Sequence, residues 1–197
     1  MAIRPAEAAL AVADPTRAAI GYNCAKIAEH LANTLFDDGR THSPDDTEQN
    51  AFKHAYWNAL MVKHLALWAY TEQYVNGGGR IGEFFDNLLG GSEAERWERA
   101  IQYGVWWAKA FGDAHENDPP FVTISGNTAA RHAMDYRNNE IGRNIAVNAL
   151  RSDRETLDRT LAHNVMRYLA DNNTYPASQR MIIEKPEYDM SVIRNRI

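Results

Sequence analysis

The chain has 197 residues, of which 45% are hydrophobic and 24% are charged. These values are typical of globular proteins that bury a core without disulfide bonds or structural metal ions. This composition excludes an intrinsically disordered chain, a collagen-like fibre and a disulfide scaffold. The net charge of -5 excludes a broad nucleic-acid surface, because such surfaces carry an excess of basic residues. The single cysteine, Cys24, leaves no internal disulfide and is predicted to be a small buried apolar residue.

Helix-start signals recur along the chain and apolar residues follow them at helical spacing. A capping residue before a proline marks two of the starts, and a Ser-x-x-Glu capping box marks the other two. The starts are Asp14 with Pro15, Ser43 with Pro44, Ser92 with Glu95, and Ser152 with Glu155. The segment 121–126 (FVTISG) is the one strand candidate, and it has no second strand with which to pair.

These signals predict an all-α fold with five to seven helices and at most one minor strand pair. No linker or internal repeat divides the chain, so we predict one domain over residues 1–197. Its parts are N-terminal helices at 5–36, a motif-bearing core at 43–151, a C-terminal helix at 152–172, and a tail at 173–197.

A polar stripe interrupts the otherwise apolar helix that follows Ser43. Asn50, His54 and Asn58 recur every four residues and therefore lie on one helix face. The neighbouring faces carry large apolar and aromatic side chains that are predicted to be buried. A polar stripe on such a helix indicates a wet or liganded interior.

Two further clusters concentrate carboxylates and amides. Asp113, His115 and Glu116 lie at the predicted end of a helix, where the macrodipole disfavours carboxylates and a bound cation would favour them. Asp135 and Asn139 lie four residues apart on a later helix and present oxygen atoms on one face.

Each cluster also has a purely structural interpretation. Buried histidine and asparagine side chains often bond to one another, and carboxylates at helix ends are often simply solvated. Three such clusters within one small domain favour a common site.

The strings NAFKHAYWNAL (50–60), AKAFGDAHE (108–116) and MDYRNNEIGR (134–143) together resemble an uncharacterised bacterial helical domain family found in toxin-like and effector-like proteins. The resemblance covers about residues 48–146. It implies that the polar residues of the three strings belong to one site, but it implies no particular reaction.

The leading hypothesis is a metal-dependent hydrolase. Mixed imidazole and carboxylate ligands favour zinc or manganese over calcium, and the sequence contains no HExxH, CxxC or GxSxG motif. The metal ligands are predicted to be His54, Asp113 and Asp135, the catalytic residues His115 and Glu116, and the substrate-binding residues Asn50, Asn58 and Asn139.

Two alternatives remain open at this point. One is a non-enzymatic helical effector or adaptor whose polar residues form a buried structural network. The other is a metal-free hydrolase that uses an Asp/His pair.

The resemblance to toxin-like proteins implies a bacterial secreted effector with a phospholipid or peptidoglycan substrate in the cell envelope. It also implies an immunity or adaptor protein as a partner. The sequence has no transmembrane segment and no Sec-type signal peptide, so we expect a cytoplasmic protein that a specialised secretion system exports.

Overall fold

The computed structural model describes residues 5–36, 48–72, 92–116 and 126–171. These residues form six α-helices and no strand, which confirms the predicted all-α class. The helices are α1 (Pro5–Ala13), α2 (Pro15–Leu35), α3 (Glu48–Tyr70), α4 (Glu93–Glu116), α5 (Gly126–Ser152) and α6 (Asp158–Asp171). None of the helices in the described ranges combines the length and hydrophobicity that a membrane-spanning helix requires.

Two of the predicted helix starts are confirmed at the level of individual hydrogen bonds. The Asp14 side chain accepts a hydrogen bond of 3.0 Å from the backbone N–H of Arg17, at the start of α2. At the start of α4, the Ser92 N–H donates to Glu95 Oε2 at 2.7 Å and the Glu95 N–H donates to Ser92 Oγ at 3.3 Å. The three bonds satisfy backbone donors that a helix start leaves without intrahelical partners.

The predicted capping box at Ser152 and Glu155 is wrong, because Ser152 is the last residue of α5 and α6 begins only at Asp158. The side chain of Asp153, rather than that of Ser152, binds the backbone of this segment. Its side chain accepts a hydrogen bond of 2.9 Å from the Glu155 N–H, while Thr156 Oγ1 donates to its carbonyl at 2.6 Å. An Asp side chain that binds the backbone two residues later forms a turn, and this turn separates the two helices.

Several predicted features fall outside the described residues. They are the helix start at Ser43 and Pro44, residues 121–125 of the strand candidate, and the tail at 173–197. The assignment of the whole chain to one domain therefore stays a prediction.

Helix α3 is the centre of the fold. It packs against α2, α4, α5 and α6, and several of its large side chains, among them Phe52, Leu60 and Leu65, have no solvent-accessible surface. Cys24 of α2 joins this core as predicted, and burial raises the pKa of its thiol to about 12. Because α3 is enclosed on several sides, the polar groups on it need protein or ligand partners.

Glycines allow two helices to approach the backbone of α3 closely. A Cβ atom on Gly104 of α4 would lie 2.4 Å from the carbonyl oxygen of Val62. A Cβ atom on Gly142 of α5 would lie 1.9 Å from the carbonyl oxygen of Ala55. Both distances are far below van der Waals contact, so only glycine permits α4 and α5 to pack at these separations.

An ion-pair cluster attaches α6 to α3. Asp158 accepts a hydrogen bond of 2.5 Å from Lys63 Nζ and lies 3.3 Å from His64 Nε2. The hydrogen bond with His64 and the neighbouring Lys63 lower the pKa of Asp158 from its ordinary 3.8 to about 2, although burial opposes the shift. The folded state therefore favours the ionised carboxylate.

We expect Gly142→Ala to destabilise the fold by about 3 kcal/mol or more, because the new methyl group meets backbone that cannot move without shifting α3. Gly21→Ala is the matched control, since its Cβ would lie an ordinary 3.5 Å from Met61 Sδ. It should be neutral or stabilise the protein by up to ~1 kcal/mol through helix propensity. Chemical denaturation measures both values, and equal effects would contradict the close approach of α5 to α3.

The lowered pKa of Asp158 also makes the stability of the folded protein depend on pH. Its contribution to stability is present above pH 3.8 and is lost as the pH falls towards about 2, since protonation removes the charge that Lys63 and His64 bind. Asp158→Asn should therefore lower the unfolding temperature at neutral pH. The difference between wild type and variant should shrink as the pH falls from about 4 to 2. A difference that stays constant over this range would show that the charge of Asp158 contributes nothing.

Candidate metal centre

Three side chains from three different helices meet beside the middle of the fold. His54 lies on α3, Glu116 is the last residue of α4, and Asp135 lies on α5. One ligand atom from each can be chosen so that all three lie within 4.8 Å of one another. His54 Nδ1 lies 3.4 Å from Glu116 Oε1, and His54 Nε2 lies 3.6 Å from Asp135 Oδ1.

The environment of this group favours a cation. The side chains of His54 and Glu116 are 5% and 2% exposed, and Glu116 stands at a helix C-terminus, where the macrodipole disfavours a negative charge. The distances of 3.4 and 3.6 Å exceed those of good hydrogen bonds, which are about 2.7–3.2 Å. The two contacts use different nitrogens of the His54 ring, and an ion shared by all three residues binds only one of them; with one atom chosen from each residue, the three ligand atoms lie within 4.8 Å of one another.

Each carboxylate of the group also contacts a neighbour that orients it. His132 Nδ1 lies 3.3 Å from Glu116 Oε2, and Asn50 Nδ2 donates a hydrogen bond of 3.2 Å to Asp135 Oδ1. Such outer contacts hold ligands in position in known metal sites. Asn50, which we predicted to bind substrate, thus contacts the carboxylate of Asp135.

His115 lies beside the group rather than in it. Its ring centroid is 5.9 Å from that of His54 and 5.2 Å from that of Trp57, which it meets edge to face. Its Nδ1 lies 3.0 Å from Oε1 of Glu7 on α1. The carboxylate and the two rings fix the orientation of the His115 imidazole.

Asn58 and Asn139 belong to a separate buried network one turn further along α3. Asn58 Nδ2 donates to Asn139 Oδ1 at 2.7 Å, and Arg143 Nη1 donates to Asn58 Oδ1 at 2.9 Å. Burial lowers the pKa of the Arg143 guanidinium, and the negative charges of Asp113 and Glu140 oppose that shift. The two asparagines that we predicted to bind substrate are thus bonded to each other and have no exposed surface.

Asp113, which we predicted to be a metal ligand, is not a member of the His54 group. Its side chain is 34% exposed and pairs with Lys109, one turn earlier on α4. Glu116, predicted as a catalytic residue, provides the α4 carboxylate of the group instead. The reason is geometric: the interior-facing side of the last turn of α4 carries His115 and Glu116, while Asp113 reaches solvent.

The predicted set of site residues leaves out three side chains that contact members of it. His132 lies three positions before Asp135, so the helical spacing places both on one face of α5 and was an available signal. Arg143 lies within one of the quoted motifs, yet its bond to Asn58 depends on helix packing. Glu7 is separated from His115 by 108 positions, and no local pattern connects the two.

Comparison with known protein families shows the family of this chain. One family model, described as a domain of unknown function (DUF6973), matches residues 8–96 and 87–169. The chain belongs to the DUF6973 family. This confirms the predicted membership in an uncharacterised helical family and extends it beyond residues 48–146. No curated protein and no solved structure matches the chain.

The DUF6973 matches contain His54, Glu116 and Asp135, whereas Glu7 precedes them. They cover parts of all six described helices, including the first and the last, which the resemblance had left out. The family description carries no activity, so any function has to be argued from the geometry.

The network of Asn58 yields a test of structural importance that is independent of any metal. Asn58→Ala removes the partner of both Asn139 and Arg143 and should cost ~1–3 kcal/mol for each buried group left without its bond. Asn144→Ala, at an exposed position of α5 beside Arg143, is the matched control and should change stability little. Denaturation with and without chelator measures both variants. An Asn58→Ala loss no larger than that of the control would refute the structural role.

Proposed function

We propose that this DUF6973 domain is a metal-dependent hydrolase whose divalent ion is bound by His54, Glu116 and Asp135. One observation supports this most directly: a buried imidazole and two carboxylates from three helices each offer one ligand atom, and the three atoms lie within 4.8 Å of one another. The position of Glu116 at a helix C-terminus adds to the argument, because a cation offsets the unfavourable dipole there.

The ligand chemistry favours zinc or manganese. One nitrogen and two carboxylate ligands suit a transition-metal ion, whereas calcium prefers six to eight oxygen ligands. Three protein ligands leave coordination positions for water or substrate, as catalytic sites require.

The proposed role of each side chain follows from its position. A divalent ion held by His54, Glu116 and Asp135 would lower the pKa of a bound water and polarise the group to be hydrolysed. His115, whose orientation Glu7 fixes, is the proposed proton-transfer residue. Glu116, predicted at first to be catalytic, is reassigned as a ligand, while Asn50 orients Asp135.

The role as a secreted effector, the envelope substrate, the immunity or adaptor partner and the specialised export route remain predictions from the resemblance to toxin-like proteins. The proposed chemistry does not depend on them.

A second candidate function is a non-enzymatic helical adaptor. The fully buried pair of Asn58 and Asn139, bonded to Arg143, favours it, since this network specifies helix packing without any ligand. In this alternative the His54 ring lies between Glu116 and Asp135 without a metal.

Metal analysis distinguishes the two functions. We expect purified wild type to bind about one zinc or manganese ion per chain, and a chelator to lower its unfolding temperature. A free ion at a hundred times its dissociation constant stabilises the fold by about 2.7 kcal/mol. For a protein of this size that corresponds to about 5–10 °C. An unchanged unfolding temperature together with no bound ion would reject the metal centre.

Variants test the ligand set. Glu116→Gln and Asp135→Asn should lose the ion, and their stability should equal that of wild type measured in chelator. Asp113→Asn is the matched control on α4, because Asp113 pairs with Lys109 at the surface, and it should keep the ion. Metal loss in Asp113→Asn would instead support the ligand set predicted from sequence. Hydrolytic activity that persists in chelator would support the metal-free alternative.

A further inference from the structure

A cavity of about 290 Å³ lies beneath α1 and is separate from the His54 group. Small residues of α1 and α2, among them Ala11 and Ala18, form one part of its wall, and Trp57 of α3 and Phe111 of α4 form another. Its volume is close to the lower limit of small-molecule pockets, about 300 Å³. The cavity therefore has room for one small ligand or for part of a larger one.

The lining offers a ligand almost no hydrogen-bonding group. Only Glu7, Tyr22 and Trp57 contribute side chains with polar atoms. Trp57 Nε1 donates to the carbonyl of Gly21 at 3.0 Å, Glu7 lies 3.0 Å from His115 Nδ1, and Tyr22 is 48% exposed. Sugars, nucleotides and peptide backbones would lose their hydrogen bonds with water here, whereas a hydrocarbon would not.

The cavity adjoins the proposed metal centre through two aromatic rings. Trp57 lines the cavity and contacts the ring of His115, whose centroid is 5.9 Å from that of His54. His115 therefore lies between the cavity and the His54 group. Glu7 also lines the cavity and contacts His115, so a single side chain, Glu7 or Trp57, separates a ligand in the cavity from His115.

We propose that the cavity binds the hydrocarbon chain of a neutral acyl ester, the substrate class of the hydrolase; this rests on the function proposed above. The ester is neutral because the carboxylate of Glu7, which lines the cavity, repels the carboxylate of a free fatty acid.

Binding of 1-alkanols in the presence of a chelator tests the occupant without requiring turnover or a metal. Titration calorimetry with the series from 1-butanol to 1-decanol should show an affinity that rises about fourfold per methylene, or about 0.8 kcal/mol, until the cavity is filled. Octanoate should bind more weakly than 1-octanol because of Glu7. No binding of 1-octanol, or tighter binding of toluene than of 1-octanol, would overturn the assignment.

Matched variants locate the binding site. Ala11→Leu and Ala19→Leu extend side chains from lining positions and should weaken 1-octanol binding by about tenfold or more. Ala8→Leu, at an exposed position of the same helix α1 that does not line the cavity, should leave the affinity unchanged. Equal affinities in all three variants would place the ligand elsewhere and refute the proposal.

The test of the hydrocarbon site and the test of the metal-dependent hydrolase can fail independently of each other. Binding of 1-octanol by a protein that binds no metal would preserve the hydrocarbon site and reject the hydrolase. A metal-containing protein that hydrolyses esters but does not bind 1-octanol would preserve the hydrolase and reject the hydrocarbon site.

Discussion

The close contact of α4 and α5 with the backbone of α3 is the constraint on which the structure depends. Gly104 and Gly142 bring those helices against the carbonyl groups of Val62 and Ala55, where any side chain would collide. The contacts determine how far each helix lies from α3 and how it is rotated. A change in either would move Glu116 and Asp135 away from His54.

The same enclosure explains why the polar stripe of α3 is accompanied by so many charges. A buried polar group is unfavourable unless it has partners, and the stripe obtains them in two different ways. Asn58 donates to the amide of Asn139 and accepts from the guanidinium of Arg143, so its side chain has both a donor partner and an acceptor partner. His54 lies beside the carboxylates of Glu116 and Asp135, and a cation there would offset the cost of burying their negative charges.

Helix α1 adds a different element to the domain. It contributes no buried residue, yet its Glu7 reaches His115 and, together with Ala11, lines the apolar cavity. A polar centre beside an apolar cavity is the usual composition of a small-molecule site, in which the apolar part provides affinity and the polar part provides chemistry. His115 lies between the two parts, since it contacts Glu7 and Trp57 of the cavity wall and its ring centroid is 5.9 Å from that of His54.

The sequence by itself determined the helices, two of their caps and the shared face of Asn50, His54 and Asn58, because these depend on interactions within a few residues. Only the tertiary structure decided that Glu116 rather than Asp113 faces His54, and that Glu7 reaches His115. Each residue along a helix rotates the side chain by about 100°, so a sequence defines faces only relative to one another. Which face points inward depends on the packing of α4 and α5 against α3, and that packing is settled by contacts between residues far apart in the chain.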